Sequence, residues 1–405
     1  MEYTFSKPET DEDYEALYKV MDASFGDEDV RSITRRFVEH HPEMTKEHYF
    51  MVKHGEKAVA GLLLIPQIWR LGGVELKVAE MGCVGTDPEH RRKGVQWILN
   101  NEFDKFAREN GFDLCVLAGI PYFYRQFGYQ YAIELDPATE IKLEKMTANE
   151  TKIRLEEFTE DHIEKADKIL KKTQEGYLVH SVRTRDIWRM QQITGTYGGD
   201  RSQAVVLYLR GEFVGYYRYV RDKEKGTLYI RELGVDENVS TSDLFDVIAK
   251  HASELGLTAL KTGLPYQDEL SRYLISKGGK QNREYAWQVK VIDLPSFISK
   301  IKPVLEQRIE NSEYMGLSRN ITMNFWKYAV KMKMEEGKIV SIERAFGEKD
   351  RTIGLNPYAF TKLALGYKSR MELEAMYPDF WVRSDLVPLF DIMFPKQSSY
   401  IHYCY

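Results

Sequence analysis

The chain has 405 residues, of which 43% are hydrophobic and 29% charged, with a formal net charge of −5 at pH 7. This length exceeds one ordinary core and suggests two or three domains, and the acidic balance argues against a nucleic-acid partner, whose phosphates require a basic surface. Cys83, Cys115 and Cys404 suit neither a disulfide framework nor a zinc site, the N-terminus lacks an apolar signal core, and no run is long enough to span a bilayer, so a cytoplasmic protein without a metal is expected.

Thr10, followed three residues later by Asp13, predicts a helix start, and Tyr14, Leu17, Tyr18 and Met21 continue at helical spacing. The runs HYFMVKHG, KAVAGLLLIPQIWRL and VELKVAEMGCVGT then have strand composition with glycines between them, as in an antiparallel meander. After Gly94, Val95, Ile98, Leu99, Phe103 and Phe106 mark one face of a helix that stops at Gly111, and FDLCVLAGIPYF supplies another buried strand.

From about Arg154 to Asp293 the order repeats. KAVAGLLL returns as GEFVGYYR, VAEMGCVG as YIRELGVD, the helix ending at Gly111 as one ending at Gly256, and AGIPY as TGLPY. Matched elements in one order indicate an internal duplication. The second copy lacks the basic run before its helix, VDENVSTSDLFDVI standing in that place. The remainder, with a helix LPSFISKIKPVLEQRI, strand-like NITMNFWKYAVKMKM and KIVSIERAF, a helical NPYAFTKLALG and the aromatic tail YIHYCY, reads as a third, α+β domain. The division is 1–150, 151–293 and 294–405, of α/β (α+β) class.

The stretch VGTDPEHRRKG places Arg91, Arg92 and Lys93 before a helix, where the free N–H groups and the macrodipole favour anions instead. A strand through Val84, Gly85 and Thr86, a turn at Asp87-Pro88 and a helix opening at Gly94 describe an anion site of backbone N–H groups ringed by arginines. Taken alone, the cluster fits a solvated basic turn equally well.

This stretch resembles the acetyl-CoA signature Arg/Gln-x-x-Gly-x-Gly/Ala of the GCN5-related N-acetyltransferases (GNAT), with Arg91 and Gly94 in fixed positions and Gln96 departing from the third. The departure, the duplication and the third domain resemble the Eis (enhanced intracellular survival) branch. That resemblance implies two GNAT-type mixed-sheet units in tandem, the second degenerate, followed by a sterol-carrier-protein-like α+β domain. It further implies acetyl-CoA as co-substrate, its pyrophosphate on Arg91, Arg92, Lys93, Gly94, Val95 and Gln96 and its pantetheine arm along Val84, Gly85 and Thr86. FYRQFGYQ resembles the segment bearing the general acid, which falls on Tyr124. VMDASFGDED resembles the segment bearing an acceptor-binding acid, at Asp27, with an aromatic wall near Phe37. Tyr405 completes the set, because the branch returns its C-terminal carboxylate to the active site; the branch also forms hexamers.

These residue types suit the chemistry. Acyl transfer from a thioester needs a neutral amine, a polarised carbonyl and a proton for the departing thiolate. A phenol with an unperturbed pKa of about 10 can supply that proton. A terminal carboxylate, at roughly 3.3 to 3.7 in water, becomes a useful base only when partly buried. Glu80 is a further acceptor-positioning candidate, though its duplicate Glu232 argues equally for a structural role. The expected activity is acetyl transfer from acetyl-CoA to a primary amine, whether a small polycation, an aminoglycoside-like compound or a lysine. A longer-chain acyl transferase and a non-catalytic acyl-CoA or lipid sensor are the alternatives.

Overall fold

The computed structural model describes residues 2–25, 30–145, 149–282, 285–347, 349 and 352–405. Thr10 caps the first helix, α1 (Asp11–Asp22): its hydroxyl accepts from Asp13 N, and the Asp13 carboxylate accepts from Thr10 N in return. The helix buries Leu17, Tyr18 and Met21. A second helix, α2 (Val30–His40), has no counterpart in the sequence reading above.

The first sheet holds β1 (Tyr3–Ser6), β2 (Tyr49–His54), β3 (Lys57–Leu71) and β4 (Val74–Thr86) as an antiparallel meander, with β5 (Leu114–Leu117) parallel to β4. The helix between them, α3 (Val95–Glu109), buries Val95, Leu99 and Phe103. Beyond β5 the order departs from the chain order, because the next strand is Tyr285–Val291, and β6 (Gln130–Leu135) lies outside it. The second sheet mirrors this arrangement. β7 (Thr139–Lys142) sits beside Ala259–Thr262, at the far end from β8 (Ile153–Glu157), although β7 precedes the rest of that unit in the chain. The two units have exchanged a strand each, so cuts at 150 and 293 do not separate the sheets. One further strand, β9 (Val179–Ser181), adds to β3 across the unit boundary.

The third unit is α+β, with a five-stranded sheet and helices Leu294–Glu310, Pro357–Ala364, Arg370–Met376 and Val387–Met393. A continuous apolar core joins it to the first sheet through Trp69, Leu76, Trp287, Ile301, Val304 and Phe360, whereas the second sheet has its own core around Leu228, Ile248 and Leu260. Among the described residues no helix is long and apolar enough to cross a membrane.

The exchange has a direct consequence for folding. A fragment of residues 1–150 lacks the strand that pairs with both β5 and β6, leaving two rows of backbone donors and acceptors unmatched. Such a fragment is expected to show non-native far-UV circular dichroism and a collapsed amide NMR spectrum. The full chain should unfold its first two units in one transition, with tryptophan fluorescence and circular dichroism coinciding.

Candidate active site

β4 carries the bend on which the site is built. Ala60 and Gly61 pair with Thr86 and Gly85, but Leu63 pairs with Gly82, so an extra residue bulges from β4 near Cys83, whose φ is +53°. A bulge bends its strand and sharpens its twist. The parallel ladder from β4 to β5 ends at the pair Glu80 and Val116, so past it β4 no longer pairs with β5.

Glu80 stands at the last pair of that ladder and is 2% exposed. One oxygen accepts from the Tyr405 hydroxyl at 2.5 Å and the other from Gln67 Nε2, whose own Oε1 accepts from Trp69 Nε1 at 2.8 Å. Burial pushes its pKa up to about 7, against the opposing pull of those two hydrogen bonds. The carboxyl is thus poised near neutrality, as an acid–base group requires.

Tyr124 lies in a wall formed beyond β5 by the short helix Phe123–Phe127. Its ring covers Gly119, where a Cβ would fall 2.5 Å from Tyr124 Cε2. Burial pushes its pKa up to about 12, and among the described residues its hydroxyl makes no hydrogen bond. The exchanged strand braces this wall: Gln288 Nε2 donates to Gly119 O at 2.9 Å, and Lys290 Nζ donates to Phe127 O at 3.1 Å.

The basic elbow joins the end of β4 to the start of α3. Gly94 is the N-cap of α3 with φ +80°, no side chain caps the helix, its first turn has no acidic residue, and a Cβ at Gly94 would meet nothing within 4 Å. Arg91, Arg92 and Lys93 are exposed around it. Gln96 explains its departure from the small residue of the signature, because its Nε2 donates to Thr86 Oγ1 at 2.8 Å and ties the helix start to the end of β4. An uncapped, positive helix end with open space above its glycine fits a diphosphate. Val84 and Thr86 are half-buried at the end of β4, where Thr86 N donates to Ser24 Oγ at 3.0 Å. Gly85 faces the opposite way: a Cβ there would lie 2.7 Å from Met21 Cα and from Val20 O, so glycine is required for α1 to pack. Asp27 lies outside the described residues; Phe37 falls within α2, its side chain outside them.

Tyr405 reaches Glu80 with its phenol. Its backbone oxygen accepts instead from Gly198 N at 2.6 Å and from Gln191 Nε2 at 3.4 Å, in the second unit. The tail from Tyr400 is buried throughout. It is fastened by Arg183 Nη2 and Gln191 Nε2 donating to Tyr403 O at 2.8 and 3.0 Å, and by Ser181 Oγ donating to His402 O at 2.6 Å. Glu232, which the repeat sets against Glu80, has a different role. Both Arg183 Nη atoms donate to it at 2.9 and 2.6 Å and Tyr216 donates at 2.8 Å, so that although burial alone would raise its pKa, the arginine holds it well below the usual carboxylate range.

Two outcomes follow from these settings. Arg183→Met removes the bidentate partner of Glu232 and leaves it the Tyr216 hydroxyl and Arg218 Nε, 3.8 Å away, and should cost about 1–3 kcal/mol in urea unfolding. Glu80 is raised from 4.5 to about 7 in the folded chain, so the native state holds the extra proton and stability falls as pH rises through that window. Glu80→Gln should flatten this fall, by at most about 3 kcal/mol between the two limits, read as the pH dependence of the urea midpoint.

Residues 6–132 match the family described as an acetyltransferase (GNAT) domain. No curated protein matches the chain. Among solved structures, a GCN5-related N-acetyltransferase from Anabaena variabilis shares 17% identity over 99% of both chains with a TM-score of 0.73. A conserved Enterococcus faecalis protein described as a probable N-acyltransferase shares 16% over 99% of both, with a TM-score of 0.76. Eis1 from Mycobacterium abscessus shares 13%, covering 98% of this chain and 99% of its own, with a TM-score of 0.65. At these identities the likeness is one of fold, and it extends over all three units.

Proposed function

We propose that this chain, which belongs to the GNAT acetyltransferases through residues 6–132 and has an Eis-like fold throughout, transfers an acetyl group from acetyl-CoA to a primary amine. The observation that carries this reading is an open, uncapped helix end tied to the end of β4, with a carboxyl poised near neutrality at the last β4–β5 pair and, beyond β5, a phenol whose hydroxyl makes no hydrogen bond among the described residues.

The co-substrate supplies an activated thioester. Arg91, Arg92 and Lys93 and the N–H groups opening α3 hold its diphosphate. Past Glu80, the edge of β4 that no longer pairs with β5 receives the amide arm, as a sheet edge receives an added strand. Glu80 takes the proton of the incoming ammonium, directly or through the Tyr405 phenol, and leaves a neutral amine. That nitrogen bonds to the acetyl carbon as the carbon–sulfur bond breaks. Tyr124, protonated at any working pH, donates its proton to the departing sulfur and is restored by the second proton that the nitrogen releases as the amide forms. Of the sequence candidates, the buried base is then Glu80, with Tyr405 acting through its hydroxyl. The third unit, read as sterol-carrier-like, serves to deliver the tail.

Thiol release from acetyl-CoA with a panel of amines tests the proposal. Tyr124→Phe should lower kcat by about 10²–10⁴ with the coenzyme A Kd unchanged, whereas Arg91→Ala should raise that Kd. In the wild type, kcat/KM should climb as pH rises through about 7, where Glu80 loses its proton, and Glu80→Gln should abolish the climb. A Tyr124→Phe chain as fast as wild type would remove the acid from the mechanism.

A further inference from the structure

Gln67 holds one side of Glu80, and no step of the transfer chemistry above uses it. Glu80 pairs with Ile65 across β3 and β4, so Gln67, two residues further along β3, stands on the same face and diagonal to it. There Gln67 Nε2 donates to Glu80 Oε2, while the Tyr405 hydroxyl donates to Glu80 Oε1 at 2.5 Å. These two are the side-chain hydrogen-bond partners of Glu80 among the described residues.

Trp69 fixes the direction of the Gln67 amide. An indole N–H only donates, and Trp69 Nε1 donates to Gln67 Oε1 at 2.8 Å. The amide oxygen is therefore committed to the indole and the amide nitrogen to the carboxyl; a turned amide would set donor against donor in a dry place. Trp69 itself is fully buried and packs edge-on against Trp287 at 5.7 Å, Trp287 packs on Tyr403 at 5.8 Å, and Tyr403 on Tyr405 at 5.9 Å. Glu80 is thus tethered to both ends of one aromatic chain, through Gln67 to Trp69 and directly to Tyr405.

This makes the two carboxyl oxygens unequal. Oε2 always faces an N–H donor, so it accepts in either protonation state. A proton bound to Glu80 then sits on Oε1, facing a hydroxyl that donates to the carboxylate and, by turning its O–H, accepts from the acid. The other titratable groups close enough to feel Glu80 are Cys83, Tyr403 and Cys404, and burial raises the pKa of each, so all three stay neutral beside it.

We propose that Gln67, oriented by Trp69, is a positioning residue that confines the exchangeable proton of Glu80 to Oε1, and that the Tyr405 phenol carries it between that oxygen and the amine. The proposal rests on the transfer reaction above and specifies its first step. The ammonium N–H bond breaks as its proton passes to Tyr405 Oη, and the Tyr405 O–H bond breaks as its own proton passes to Glu80 Oε1. The amine is left neutral, the phenol is intact and Glu80 is the acid.

NMR of the full-length wild type reads this relay without turnover. The Glu80 carboxyl carbon, the Tyr405 Cζ and the Trp69 indole N–H should titrate with one midpoint, because groups in one hydrogen-bonded chain polarise each other. A Tyr405 Cζ or an indole N–H that stays unmoved through the Glu80 titration would overturn the proposal. Gln67→Met removes a donor to the charged form and should raise that midpoint, and with it the rise of kcat/KM, by about one to two pH units. Trp69→Phe keeps Gln67 but frees its amide to turn; it should shift both in the same direction by less, and it supplies the test if Gln67→Met fails to fold. Tyr405→Phe should lower kcat by about 10²–10⁴ with the coenzyme A Kd unchanged. Unshifted midpoints in the folded Gln67 and Trp69 variants, or a Tyr405→Phe chain as fast as wild type, would each refute it. One shared midpoint together with no turnover of any amine would support the placement of the proton and remove the transfer reading with the carrier role.

Discussion

The exchange of one strand between the two acetyltransferase-like units is the constraint on which the rest of the structure depends. Tyr285–Val291 fills the slot between β5 and β6, and β7 fills the matching region of the other sheet. Backbone hydrogen bonding is obligatory in a buried sheet, so neither sheet is complete until the chain has passed through both. The same strand supplies Gln288 and Lys290, whose side chains hold the carbonyls of Gly119 and Phe127 on either side of Tyr124. The wall bearing the candidate acid is therefore built partly from a segment that follows the second unit.

The duplicated carboxylates show how one sequence element can acquire two functions. Glu80 has neutral partners, a phenol and an amide, and its pKa rises with burial. Glu232 is met by Arg183, and stays ionised in an equally dry place. In the first unit the carboxyl remains free to exchange a proton. In the second it anchors the cation that grips Tyr403, in the tail that ends on Glu80 of the first unit. The second unit thus serves the first as a mount for the tail. Pairs of groups whose environments drive their pKa values apart are a recurrent way of assigning acid–base roles.

The basic elbow shows the same economy at the end of β4. Four features meet there: an uncapped helix, a glycine with open space, three exposed cations and a glutamine that ties the helix start to β4. Without an anion the cations would oppose the helix dipole. With one, they complete its ligation.

Much of this was legible in the sequence, and the reason is locality. The Thr10 cap, the alternating strands and the basic run before Gly94 each depend on residues within one turn or one strand of each other, so spacing alone reveals them, whereas Tyr124 stands out among the tyrosines only through the family resemblance of FYRQFGYQ. The repeat exposed the tandem units, and the aromatic composition of YIHYCY agrees with a buried tail. Helix α2, the strand exchange, the role of Gln67 and the division of labour between Glu80 and Glu232 were not legible. A carboxyl's proton affinity depends on which charges come within a few ångströms of it, and Arg183 and Tyr405 arrive from 49 and 325 residues away in the chain. The sequence by itself determined the kinds of element and the chemical groups available; only tertiary packing decided which carboxylate would be neutralised and which left to titrate, because that choice is made by long-range neighbours in a medium too dry to screen them.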